Sequence, residues 1–150
     1  MEKEKKYKEV IEKIKSIDQK DRNTILKKTT EILQESFEYF DWVGFYLVKD
    51  GKLILSEFVG EPTVHTKINF GEGICGQAAE RKKTFIVKDV SKEKNYLSCS
   101  TKVKSEIVVP IFKNQEIVGE LDIDSHTLNA FDETDKINLE KICKYLEKFF

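Results

Sequence analysis

Ser105-Glu-Ile-Val-Val-Pro-Ile-Phe-Lys-Asn-Gln-Glu-Ile-Val-Gly-Glu-Leu-Asp-Ile-Asp-Ser125 decides how this chain folds. Two β-rich runs, Ile107–Phe112 and Ile117–Ile123, flank the polar triplet Lys113-Asn114-Gln115 and predict a hairpin. Placing Ile107, Val109 and Ile111 opposite Leu121, Gly119 and Ile117 gives one continuous apolar face. That pairing needs a three-residue loop and sets Glu106 opposite Asp122; a two-residue loop would put the apolar residues on opposing faces. Asp122 and Asp124 share a side because strand side chains alternate, so three acids meet on one face. Cys99 lies on the polar loop that feeds this hairpin.

Outward from the hairpin, Trp42–Val48 and Leu53–Val59 are strand-like and joined by Lys49-Asp50-Gly51-Lys52, a hairpin signal containing Asp-Gly. Tyr7, Val10, Ile11, Ile14 and Ile17 recur at helical spacing, as do Ile25, Leu26, Thr29, Ile32, Leu33 and Phe37, predicting helices over about 3–16 and 22–37. Gly71-Glu72-Gly73 leads into a short helix, Ile74–Arg81, and Thr84–Val87 reads as a strand before a polar loop from about Ser91 to Lys104. Asp132 is a good N-cap for a last helix with Leu139, Ile142, Cys143, Leu146, Phe149 and Phe150 on its buried stripe. The expected class is α+β: a central antiparallel sheet with the N- and C-terminal helices packed on one face.

The chain has 150 residues, 39% of them hydrophobic, enough for one core. Its 26 basic and 27 acidic side chains nearly cancel, which argues against a nucleic-acid surface. No apolar run reaches the roughly 18 residues of a membrane span and no signal core opens the chain, so a cytoplasmic protein with no membrane partner is expected. Three cysteines, Cys75, Cys99 and Cys143, are too few and too odd for a disulfide framework.

Two close carboxylates repel, so at least one of Asp122 and Asp124 should hold a proton near neutrality, and Glu106 strengthens the effect. Such a group can donate a proton or hold an ammonium; Asp-x-Asp also fits a strand end or a weak metal site, with His126 as a candidate further ligand. Lys102 and Lys104 could activate Cys99 as a thiolate, although a surface thiol carries no function by itself. Cys75 stands at a helix start, where activation and inert packing are equally open, and Cys143 reads as core. Trp42 and Tyr46 share a strand face with Gly44 between them, as core aromatics or as walls around a ligand given room by the glycine. The Gly71–Gly76 cluster lacks a phosphate-loop ending and reads as turn chemistry. His65 and His126 are too few for a zinc site with these cysteines, and no metal is expected.

Four blocks in order, Asp41-Trp-Val-Gly-Phe-Tyr-Leu47, Phe70-Gly-Glu-Gly-Ile-Cys-Gly76, Ser105-Glu-Ile-Val-Val-Pro110 and Gly119-Glu-Leu-Asp-Ile-Asp-Ser125, resemble the free methionine-(R)-sulfoxide reductases, stand-alone GAF-domain enzymes. The similarity runs from about residue 22 to the C-terminus, with residues 1–20 as a helical extension of one GAF-like domain spanning 1–150. The resemblance implies Cys99 as nucleophile, Glu106, Asp122 and Asp124 as acidic pocket residues, and Trp42 and Tyr46 as the aromatic wall. It implies free methionine sulfoxide as substrate, no bound cofactor, a thiol reductant as partner, and a homodimer. The family's usual resolving cysteine is replaced by His65, and Glu93-Lys-Asn-Tyr-Leu-Ser-Cys-Ser100 departs from the family's loop. Cys75 is then the candidate resolving thiol, with direct reduction by a small thiol or a thioredoxin-like protein as the alternative. A ligand-binding GAF sensor without catalysis is the competing expectation.

Overall fold

Strand β6 (Glu116–Ser125) lies between β1 (Trp42–Lys49) and β5 (Ser105–Lys113), antiparallel to both. The computed structural model describes residues 2–18, 21–98 and 100–150. With β2 (Lys52–Val59), β3 (Lys67–Asn69) and β4 (Phe85–Val87) the sheet runs β3-β2-β1-β6-β5-β4, every neighbouring pair antiparallel. Strand β3, a three-residue edge strand, is absent from the sequence-based expectation; so short a run carries no periodic signal.

Alternation gives the sheet two faces. Val43, Phe45, Ile107, Val109, Ile111, Leu121 and Ile123 pack with α1 (Glu2–Lys15), α2 (Arg22–Ser36) and α4 (Glu133–Leu146) in one core. This is the face on which the N- and C-terminal helices were expected. On the other face Trp42, Tyr46, Leu53 and Val108 pack with Ile74, Cys75, Ala78 and Ala79 of α3 (Gly73–Arg81) in a second core. Cys143 is buried in the first, as expected. No described helix is long and apolar enough to cross a membrane.

The β5–β6 hairpin departs from the expected register. Lys113 pairs with Glu116, so the turn is the two residues Asn114 and Gln115, both at positive φ (52° and 69°), as a type I′ turn requires. A bulge then shifts the ladder between Phe112↔Ile117 and Ile111↔Gly119, leaving Val118 as the extra residue. Beyond it Val109 faces Leu121, Ile107 faces Ile123, and Glu106 faces Asp124 rather than Asp122. The bulge changes parity, which reconciles a two-residue turn with an apolar face and turns Ile117 into the second core. The β1–β2 turn is as expected, with Asp50 and Gly51 both at positive φ.

Helix α1 docks through Tyr7, Val10 and Ile14 onto its own chain. Its anchor is polar. Asp135, with no exposed surface, accepts from the Tyr7 hydroxyl at 2.6 Å, the Tyr39 hydroxyl at 2.8 Å, Lys3 Nζ at 2.8 Å and the Asp132 amide at 2.9 Å. Asp132 completes a capping box at α4, the expected N-cap. Burial next to the Asp135 carboxylate pushes the Tyr7 and Tyr39 hydroxyls well above the usual phenol range.

Removing the acceptor orphans several buried donors at once. Asp135→Ala is expected to lower unfolding stability by about 3 kcal/mol, and Tyr7→Phe by about 1 kcal/mol, in urea titrations. A loss under about 0.5 kcal/mol for both would show that α1 is held by apolar contact alone.

Candidate active site

Strand β6 is buried on both faces, and toward α3 its alternate residues are Glu120, Asp122 and Asp124. β5 adds Glu106, directly across from Asp124; β1 sets Trp42 across from Asp124, Gly44 across from Asp122 and Tyr46 across from Glu120. Glu106, Asp122 and Asp124 are each only 5% exposed and Glu120 not at all. The three expected acids therefore do share one face, and a fourth joins them. Glu120 was legible in the same alternation that pairs Asp122 with Asp124, one step before the Asp-x-Asp spacing on the same face.

Helix α3 brings Cys75 onto this cluster. One donor atom each from Cys75, Glu106 and Asp122 lies within 4.8 Å of the others. Gly76 lets the helix begin so close to its preceding turn: a Cβ there would stand 2.5 Å from the Asn69 carbonyl oxygen. A cavity of about 20 Å³ opens beside them, lined by Glu106, Asp122, Asp124, Cys75 and Tyr46 below and by Ile68, Ile74, His65, Tyr96 and Leu97 around and above. Two segments cover it and are tied together: His65 Nε2 meets the Ser98 carbonyl at 2.9 Å, and the Tyr46 hydroxyl donates to the His65 carbonyl at 2.8 Å. Asn95 fastens the cover to α3, accepting from the Gly73 amide at 2.8 Å and donating to the Gly71 carbonyl at 2.7 Å.

Burial raises all four carboxyls. Glu106 is pushed well up by burial, then by the charges of Asp122 and Asp124; Asp124 and Glu120 are pushed well up by burial and then by Asp122. Asp122 is also raised by burial, opposed by hydrogen bonds to Glu106 and Cys75. The cluster thus shares protons near neutrality, as carboxyls this close must. Both Glu120 oxygens and one oxygen each of Asp122 and Asp124 find no hydrogen-bond partner of good geometry among the described residues. The Cys75 thiol is pushed well up by burial and by the charges of Asp122, Glu120 and Glu106, which favours the protonated thiol.

Other expected residues are placed as follows. Cys99 lies outside the described residues. Lys102 pairs with Glu61 at 3.4 Å. Trp42 lies on the site face but outside the cavity lining; its indole stacks on Phe58 at 5.6 Å and donates to the Glu61 carbonyl at 2.9 Å. The space at Gly44 is filled by that indole: a Cβ there would sit 2.3 Å from Trp42 Cη2, so the glycine admits the ring rather than a ligand. His126 does not join the acids; its amide and ring face Asp41, at 2.7 Å and 3.6 Å.

A carboxyl whose folded pKa exceeds its unfolded value contributes stability below the unfolded value, near 4.5 for Glu, and loses it as pH rises through the folded one. Glu120→Gln removes this loss. Its stability relative to the wild type should grow with pH above about 4.5, by up to about 1.4 kcal/mol per pH unit, in urea titrations from acid to mildly alkaline pH. Parallel curves would refute the raised pKa.

A GAF domain profile matches residues 19–147. The chain is 43% identical to GAF domain-containing protein A of Dictyostelium discoideum over 97% of this chain and 92% of that one. It is 34% identical to the free methionine-R-sulfoxide reductase of Escherichia coli, covering 82% and 74%. The structure of a free methionine-R-sulfoxide reductase from Neisseria meningitidis in complex with its substrate superposes with a TM-score of 0.91 at 42% identity, covering 96% and 87%.

Proposed function

Because the chain belongs to the GAF domain family and is closely related to the free methionine-R-sulfoxide reductases, we propose that it reduces free L-methionine-(R)-sulfoxide to methionine. The observation that carries this reading is the convergence of Glu106, Asp122 and Asp124, each more than nine-tenths buried and with a raised pKa, on one cavity beside Cys75. A sulfoxide needs a proton on its departing oxygen, and a free amino acid offers an ammonium. A cluster that cannot fully ionise supplies both: its protonated member donates to the oxygen and an ionised member holds the ammonium. Tyr46, Ile68, Ile74 and Leu97 offer the apolar wall for the side chain. A cavity of about 20 Å³ admits one water-sized group, so the segments carrying His65 and Tyr96–Leu97 part when an amino acid enters.

In the proposed reaction the Cys99 thiolate attacks the sulfoxide sulfur. The oxygen passes to Cys99 with two electrons moving from the thiol to the substrate, leaving methionine and a Cys99 sulfenic acid. Two equivalents of an external thiol then return Cys99 to the thiol, releasing water and a disulfide. Cys75 is the internal alternative for this step. Its burial and raised pKa weigh against it, because the attacking species is the thiolate.

Incubation with the free (R)-sulfoxide and a dithiol should yield methionine, and the (S)-epimer should not; folded protein inert to both would sink the enzyme reading in favour of a ligand-binding module. Cys99→Ser should abolish turnover. Asp124→Asn should lower kcat/KM by about 100-fold, while Asp50→Asn in the exposed β1–β2 turn should leave it unchanged. After one turnover without reductant, dimedone should label Cys99; a Cys75–Cys99 disulfide found by mass spectrometry in its place would make Cys75 the resolving thiol.

A further inference from the structure

We propose that Cys75, Glu106 and Asp122, with Glu120 behind them, form a site for one thiophilic divalent cation such as Zn2+. Three observations support it independently of the reaction. The three side chains each present a donor atom within 4.8 Å of the others, from α3, β5 and β6. Glu120, two residues before Asp122 on the same face of β6, has no exposed surface and, among the described residues, no hydrogen-bond partner of good geometry for either oxygen. Among the described residues an oxygen of Asp122 is likewise without a partner, and the adjoining cavity of about 20 Å³ has room for one ion or one water.

The donor set selects the metal. One sulfur and two or three carboxylate oxygens suit a borderline cation in a tetrahedral site, whereas Mg2+ and Ca2+ prefer oxygen alone. The ligand His126, suggested by its place beside Asp124, faces Asp41 instead; the sulfur of Cys75 takes that part. Bond lengths of about 2.3 Å to sulfur and 2.0 Å to oxygen place tetrahedral ligands about 3.5 Å apart, so donors within 4.8 Å of one another draw in by at most about 1.3 Å when the ion arrives. That adjustment makes the site a reversible one rather than a fixed structural centre.

The chemistry is ligand exchange without oxidation or reduction. Zn2+ forms bonds to the Cys75 sulfur and the carboxylate oxygens, and the thiol proton and the proton shared by the acids leave to solvent. Binding therefore releases protons and tightens as pH rises. The ion stands where the proposed reaction needs a proton donor, so it competes with the sulfoxide. Only this last consequence rests on the proposed function; the binding does not.

The full chain, kept reduced in a non-chelating buffer, is titrated with Cd2+ and followed by the thiolate-to-cadmium charge-transfer absorbance and by proton release. One Cd2+ per chain is expected, with the same band in wild type and Cys99→Ser and none in Cys75→Ser. Glu120→Gln should weaken binding by about tenfold, and Asp122→Asn should also weaken it. Circular dichroism checks each fold; if Cys75→Ser does not fold, the two carboxyl variants decide. No band in the wild type, a band lost with Cys99 rather than Cys75, or unchanged affinity in both carboxyl variants would overturn the site. In turnover assays with a protein thiol reductant, Zn2+ should raise the apparent KM without lowering kcat. Inhibition that excess sulfoxide does not relieve would overturn the competition but not the site, and absence of turnover without Zn2+ would count against the proposed function alone.

Discussion

Strand β6 is buried on both faces from Gly119 to Ser125, and the requirement that those faces differ organises the molecule. Leu121 and Ile123 join the helices of one core, while Glu120, Asp122 and Asp124 face α3. A central strand with both faces apolar would have been the cheaper choice. Burying a carboxyl without partners costs several kcal/mol unless it keeps its proton. This strand buries three carboxyls on one face, and β5 adds a fourth.

Asp135 makes the contrast within the same chain. It is as fully buried as Glu120, yet two phenols, an ammonium and a backbone amide surround it. That carboxylate is a fastener between α1, α4 and the segment after α2. Among the described residues Glu120 has no such partners and Asp122 and Asp124 each leave one oxygen without one, so burial raises the pKa values of these carboxyls instead. Such a local deficit is typical of a site built to receive something.

The architecture was legible because its elements are long and strictly periodic. The helical stripes of Tyr7-Val10-Ile14 and Leu139-Ile142-Leu146, and the Asp50-Gly51 turn, each follow from local rules. The β5–β6 register was not legible, because a single bulged residue, Val118, reverses parity between turn and strand without leaving a mark in the pattern. The shared face of Glu106, Asp122 and Asp124 survived that error: a register shift of two residues keeps side chains on the same side. Distances across elements were out of reach. That α3 would deliver Cys75 to the acids, or that the Trp42 indole would fill the space at Gly44, depends on packing between segments distant in sequence.

In the proposed reaction a shared proton would let one cluster perform opposite tasks. Isolated carboxyls in water would all be ionised near neutrality and could hold an ammonium but donate nothing. A single buried carboxyl would be protonated and could donate but not hold a charge. Glu106 across from Asp124, with Asp122 beside them, sits between these limits: each ionisation raises the cost of the next. In the proposed reaction an incoming ammonium would lower that cost for one member and leave the remaining proton for the departing oxygen. Arrival of the substrate's positive charge would thus set the protonation pattern that the proposed reduction requires, and the alternation of β6 together with Glu106 of β5 builds that device.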